Sequence, residues 1–223
     1  MCGRYSLHAN PEVVSLLFGL SGIPAYQPRY NIAPTMPVLI VREDAAARVC
    51  VMVKWGLVPY WARDPSMGAR MNNARAESVA EKPSFRDAYR KRRCLIPASG
   101  FYEWQEVPGS KAKQPWYIHP REGDLFAFAG LWESWNGPGG PLETCAIITT
   151  EPNEVMAPIH ERMPVIVAPA DYGRWLGGGE GLLGPCPPSS IAAHPVSKTV
   201  NRAANDSPDL IVPLDTGYNA STE

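Results

Sequence analysis

Cys2 is the residue whose type and position together carry the most chemistry. A small side chain after Met1 favours removal of the initiator methionine, and Cys2 would then bear a free α-amine beside its thiol. Reference pKa values of about 7.7–8.0 for an α-amine and ~8.5 for a thiol leave usable fractions of both nucleophiles near neutral pH. Such a 1,2-aminothiol, presented in a cleft, captures an aldehyde in two steps. The amine forms a Schiff base, and the sulfur then adds to the same carbon and closes a thiazolidine ring. The same pair also suits hydrolysis, with the terminal residue supplying both nucleophile and base. The other cysteines are widely spaced: Cys50, Cys94 and Cys145 lie in apolar runs and read as buried small hydrophobes, while Cys186 in GPCPP reads as a loop thiol. No C-x-x-C pair or Cys/His cluster suggests a metal.

Four more positions put polar or aromatic function in unusual company. Asn73, in MNNARAE, reads locally as an Asx turn before a helix, though it places an amide among small and charged residues. Glu103, in FYEW, shares a strand face with Phe101. It is either solvent-facing or a carboxyl walled in by rings, with a raised pKa suited to general acid–base work. His160, in APIHERMP, is a structural imidazole or a proton carrier tuned by Glu161 and Arg162. Of the seven tryptophans, Trp61 lies in the polar stretch 60–73 and is the one expected at the surface, where an indole stacks on a base or wedges into a base step.

The elements that must position these residues are short. A helix runs from an Asn10 cap to Gly19, followed by a proline-punctuated loop, 24–37. Runs 38–41 and 49–58 pair as a hairpin. A second helix starts from a Ser84 cap and ends on Arg90–Arg93, whose cations suit the helix dipole. Strands are expected at 94–97, 100–105, 116–119, 125–132, 144–150 and 164–167, a short helix at 171–176, and a last strand opening at His194-Pro195-Val196-Ser197. With 24 prolines and 19 glycines in 223 residues, a helical bundle is excluded. The pattern is that of an α+β fold with curled sheets, one domain over residues 1–213 and a polar tail from 214 to 223. The net charge of −1 announces no bulk nucleic-acid binder, so such a role needs a local basic groove. No apolar run approaches the ~20 residues of a membrane span, and no signal sequence is evident; the expected compartment is the cytoplasm.

Seven segments resemble, in order, signatures of the SOS-response-associated peptidase (SRAP) family: MCGR from Met1, RYNIAP from Arg29, WGLVP from Trp55, NARAE from Asn73, GFYEW from Gly100, IHERMP from Ile159 and HPVS from His194. The resemblance implies a barrel-like, mainly antiparallel β core flanked by helices. It also implies a protein that shields abasic sites in single-stranded DNA and at single-to-double-strand junctions; covalent capture of one lesion needs only a monomer, and no cofactor is expected. By the same resemblance Cys2 forms a thiazolidine crosslink with the ring-opened sugar, Asn73 orients Cys2, Glu103 assists proton transfer and His160 assists ring opening and Schiff-base chemistry. Arg4, Arg75 and Arg162 would contact phosphates, with Thr149 a further DNA contact, and Pro34 and Trp61 would wedge into the stack. Tyr60-Trp61 replaces the paired tryptophans of some bacterial members. Autocatalytic removal of Met1, crosslink reversal and strand cleavage by β-elimination stay open as side activities. So do two other functions: an N-terminal-nucleophile cysteine peptidase and a non-covalent reader of modified bases.

Overall fold

The computed structural model describes residues 2–45 and 47–214, so the expected tail beyond Leu214 lies outside the described residues. Its strands are β1 (Tyr5–Leu7), β2 (Arg29–Ile32), β3 (Pro37–Asp44), β4 (Ala47–Trp55), β5 (Asn73–Arg75), β6 (Arg93–Ala98), β7 (Gly100–Gln105), β8 (Gln114–Pro120), β9 (Phe126–Gly137), β10 (Gly140–Thr150), β11 (Met163–Pro164) and β12 (Ile191–Pro195). The α-helices are α1 (Pro11–Phe18), α2 (Arg86–Lys91) and α3 (Tyr172–Leu176). The fold is α+β, as expected.

Five strands close a barrel. β4, β3, β6 and β9 are successive antiparallel neighbours, and β10 pairs with β9 on one side and, in parallel, with β4 on the other. Closure leaves no free edge around this circuit. β5 and β11 add to β10 beyond the circuit. A second, antiparallel sheet runs in the order β12-β8-β7-β1-β2.

One extended run passes from one sheet to the other by bending at Ser99. β6 ends at Ala98 in the barrel and β7 begins at Gly100 in the second sheet, while the buried Ser99 Oγ accepts from the N–H groups of His8 (3.0 Å) and Ala9 (3.2 Å). Gly100 is required there, because a Cβ would lie 2.4 Å from the Tyr117 ring. Alternation along β7 then sends Phe101 and Glu103 to one face and Tyr102 to the other. Phe101 joins the main core with Tyr5, Trp55 and Phe128; the Tyr5 ring meets those of Trp55 and Phe128 edge-on at 5.3 and 6.0 Å. Tyr102 and Tyr117 pack on the opposite face under Val196, Val200 and Leu210.

Several local expectations need correction. α1 starts at Pro11 and Gly19 closes it in the left-handed region (φ 65°), but the Asn10 side chain makes no cap bond. α2 starts later than the Ser84 cap, with Phe85 at its N-cap position. Only Arg90 and Lys91 stand in its last turn: Arg92 pairs with buried Glu133 at 2.6 Å, and Arg93 opens β6 with its guanidinium over the Tyr89 and Trp175 rings. The loop 24–37 contains β2, held by the Asp206 carboxylate on the N–H groups of Tyr30 and Asn31. Cys186 is buried, with its carbonyl accepting from Asn153 Nδ2, and the last strand begins at Ile191 and ends at Pro195.

Candidate active site

Residues 2–4 continue β1 along β7, where the Tyr102 N–H donates to the Arg4 carbonyl at 2.9 Å. Since Tyr5 opposes Phe101, that register carries the chain start alongside Glu103. Cys2 is fully buried, so the open cleft expected around it is not found in the chain as translated. Burial, and after it the nearby Glu103 carboxylate, push its thiol well above the ordinary range.

Asn73 reaches this point through a close backbone contact. Gly56 has φ 131° and lacks room for a Cβ, which would sit 2.5 Å from the Gly68 carbonyl oxygen. The chain before β5 is thereby laid against the end of β4: Leu57 N–H donates to Met71 O (3.0 Å) and Trp55 Nε1 to Asn72 O (2.9 Å). β5 then runs parallel to β10, with Asn73 opposite Ile147 and Arg75 opposite Thr149. Asn73 is therefore a strand residue rather than the head of an Asx turn, and its Nδ2 donates to the Cys2 carbonyl at 2.8 Å. Its Oδ1 is buried with no partner among the described residues.

His160 follows a turn organised by buried Asn153, whose Oδ1 accepts from the Met156 N–H at 3.0 Å. The Arg162 N–H lies 3.0 Å from His160 Nδ1 and the Arg162 carbonyl 3.2 Å from the same nitrogen, so the backbone of Arg162 fixes the ring. Nε2 lies 3.6 Å from Glu103 Oε2. Burial raises the Glu103 carboxyl to about 8 and lowers the His160 imidazole. Near pH 7 both groups are thus mostly neutral, a carboxylic acid beside an imidazole, an arrangement able to give and take one proton at low electrostatic cost.

The cations differ in availability. Arg162 holds Glu77 with two bonds, 2.6 and 3.0 Å, and its NH2 also donates to the Thr149 carbonyl at 2.7 Å. Arg4 NH1 donates to Asn31 Oδ1 and to the Val200 carbonyl, both at 2.7 Å. Arg75 is exposed. Thr149 is fully buried, its Oγ1 without a partner among the described residues. Pro34 occupies a turn closed by Met36 N–H to Ala33 O, with Thr35 at φ 74°. Trp61 is the exposed tryptophan (47%), on a turn anchored by Trp135 Nε1 donating to the Ala62 carbonyl at 2.7 Å. The structure therefore joins Cys2 with Asn73 and Glu103 with His160, and sets Arg75, Thr149 and Arg162 along β10. Pro34 and Trp61 stand on separate loops leaving the two ends of the β3–β4 pair nearest Trp55.

Two residues were missed. Asn31 is fully buried, accepts from Arg4, and its Nδ2 faces the carbonyls of Val200, Arg202 and Asn205. Glu77 holds Arg162 in place. The available signals were an amide between Tyr30 and Ile32, and an acid closing the run NARAE.

A model of the SOS response associated peptidase family matches residues 1–203. The abasic site processing protein YoqW of Bacillus subtilis is 42% identical over 95% of this chain and 99% of its own length. The mouse abasic site processing protein HMCES is 32% identical over 96% of this chain and 76% of its own. A crystal structure of a Bacteroides thetaiotaomicron protein superposes with a TM-score of 0.84 at 26% identity, covering 95% of this chain and 99% of that one. With the matched segments spanning both the barrel and the cluster around Cys2, the chain belongs to the SOS response associated peptidase (SRAP) family.

Proposed function

We propose that this protein processes abasic sites in single-stranded DNA by covalent capture through Cys2. Removal of Met1 converts the Cys2 nitrogen from an amide into an amine. The abasic sugar is opened by proton transfer involving Glu103 and His160, which exposes an aldehyde at C1′. The Cys2 amine adds to that carbon, the resulting carbinolamine loses water with a proton from the Glu103–His160 pair, and an imine forms. The Cys2 sulfur then adds to the imine carbon, its thiol proton passing to the nitrogen, and the five-membered ring closes. Asn73, bonded to the Cys2 carbonyl, holds amine and thiol toward one point without adding charge.

Around that point Arg4, Arg75 and Arg162 would bind phosphates, which fixes the strand without reading its sequence, and Thr149 would add a hydrogen bond. Pro34 and Trp61 would part the bases flanking the lesion, a geometry that favours strand ends and single-to-double-strand junctions. The observation that carries this reading is the buried Glu103 carboxyl, 3.6 Å from His160 Nε2, at the position where the chain begins. The naming of relatives as abasic site processing proteins supports it.

The test is intact-mass measurement after mixing with an abasic single-stranded oligonucleotide under denaturing conditions. The expected product lacks Met1 and is heavier by one oligonucleotide less one water. Cys2→Ala should form no stable adduct. A stable adduct on a chain that retains Met1, or one undiminished in Cys2→Ala, overturns the mechanism; strand cleavage in its place assigns the imine to β-elimination.

A further inference from the structure

Away from Cys2, two clefts lie side by side. The first, about 710 Å³, is walled by apolar side chains including Leu16, Leu17, Phe126, Ile166, Val167 and Tyr172. The second, about 490 Å³, holds His8, His119 and His194, three of the four histidines in the chain, with Ser99 and Tyr117. Val13, Pro120, Gly123 and Asp124 line both, so the two clefts share a wall. None of the residues assigned to the DNA site lines either one.

The polar end consists largely of acceptors. His119 Nδ1–H donates to the Pro120 carbonyl (2.8 Å), and His194 Nε2–H donates to the Ile211 carbonyl (2.9 Å), which leaves Nδ1 of the neutral His194 ring as a lone pair. His8, stacked on Tyr30 at 4.9 Å, has a buried Nδ1 with no partner among the described residues. Burial lowers the His8 and His194 pKa values, so these rings are neutral at pH 7. The charged side chains lining the two clefts are carboxylates, Glu122 and Asp124, both exposed; among the described residues no lysine or arginine lines either one. On the apolar side Leu16 projects from α1 with 85% of its surface in solvent.

From this charge and shape we infer that the two adjoining clefts form a docking site for a short segment of a partner protein, one that lays apolar side chains against α1 and places a lysine or arginine among Asp124, Glu122 and the imidazole lone pairs. An acidic segment or a nucleic-acid strand would meet like charge there. The chain's own residues 215–223 do not fit, carrying Asp215 and Glu223 and no cation.

The experiment pans a random dodecapeptide phage library on the full chain and on a Leu16→Glu/Asp124→Lys double variant, both changes at exposed positions. Fluorescence anisotropy on synthetic copies of the enriched peptides follows. Wild-type protein is expected to select peptides with apolar residues beside Lys or Arg. Each single substitution should weaken their binding by about tenfold or more, as for a central interface contact. Adduct yield on abasic single strands should stay at the wild-type level. The inference is overturned if enrichment is absent, acidic or identical on the double variant. It is equally overturned if adduct yield falls together with peptide binding, or if sedimentation finds a dimer that Leu16→Glu dissolves, which would seat a second copy in the cleft.

Discussion

Glu103 shows how one side chain links stability to chemistry. Its carboxyl rises from an ordinary 4.5 to about 8 because burial penalises the charged form. The folded state therefore holds a proton that the unfolded chain releases above about 4.5. Between about 4.5 and about 8 the native state binds more protons, so this group's contribution declines with rising pH and is lost once pH passes about 8. Glu103→Gln should remove that decline: its melting temperature, measured from pH 5 to 9, should gain on wild type as the pH rises. On the proposed mechanism the same substitution should also slow adduct formation by roughly 10²–10⁴, the range typical of general acid–base assistance. Both readings of Glu103 could be drawn from FYEW alone. Choosing the buried one needs β1 and the chain start packed across its face, which is long-range information. Asn73 was ambiguous for a similar reason: its strand exists because β10, more than seventy positions away, offers an edge.

At the level of elements, the Ser99 bend decides where Glu103 points. Gly100→Ala drives a methyl into the Tyr117 ring, whose hydroxyl is 2.9 Å from Ser6 Oγ. Overpacking of this kind costs about 1–3 kcal/mol, and urea titration should register it as a lowered midpoint at unchanged slope. Strands β3, β4 and β7 to β10 were legible because each carries several β-branched or aromatic residues between turns, and β6 because its apolar run Cys94–Pro97 follows a helix. β1, β2 and β5 were not, at three or four residues each; backbone pairing with distant partners holds them. The Ser84 cap failed because the preceding 3-residue turn already satisfies that backbone: Phe85 and Arg86 N–H groups both donate to the Lys82 carbonyl.

Over the whole molecule, a net charge of −1 leaves the proposed strand binding to a few placed cations. Arg75 is the exposed one of the three candidates, so Arg75→Ala should weaken binding to abasic and intact single strands alike and reduce the log–log salt slope by roughly 0.7. Equilibrium titrations at several salt concentrations measure both. Arg4 answers to a different partner. Asn31→Ala would strip the Arg4 guanidinium and the carbonyls of Val200, Arg202 and Asn205 of their shared amide, a loss of about 2–4 kcal/mol for such buried groups, readable by thermal melting.

That junction also sets a timetable. Arg4 bonds to Val200, 196 positions downstream, and Asn31 grips the same late segment. While the ribosome is still making that segment, nothing clasps the first residues, and an aminopeptidase can reach the Met1–Cys2 bond. Once residues 200–206 emerge and the knot tightens, Cys2 is enclosed. On the proposed mechanism, removal of Met1 therefore has its best opportunity during synthesis, before Cys2 is buried.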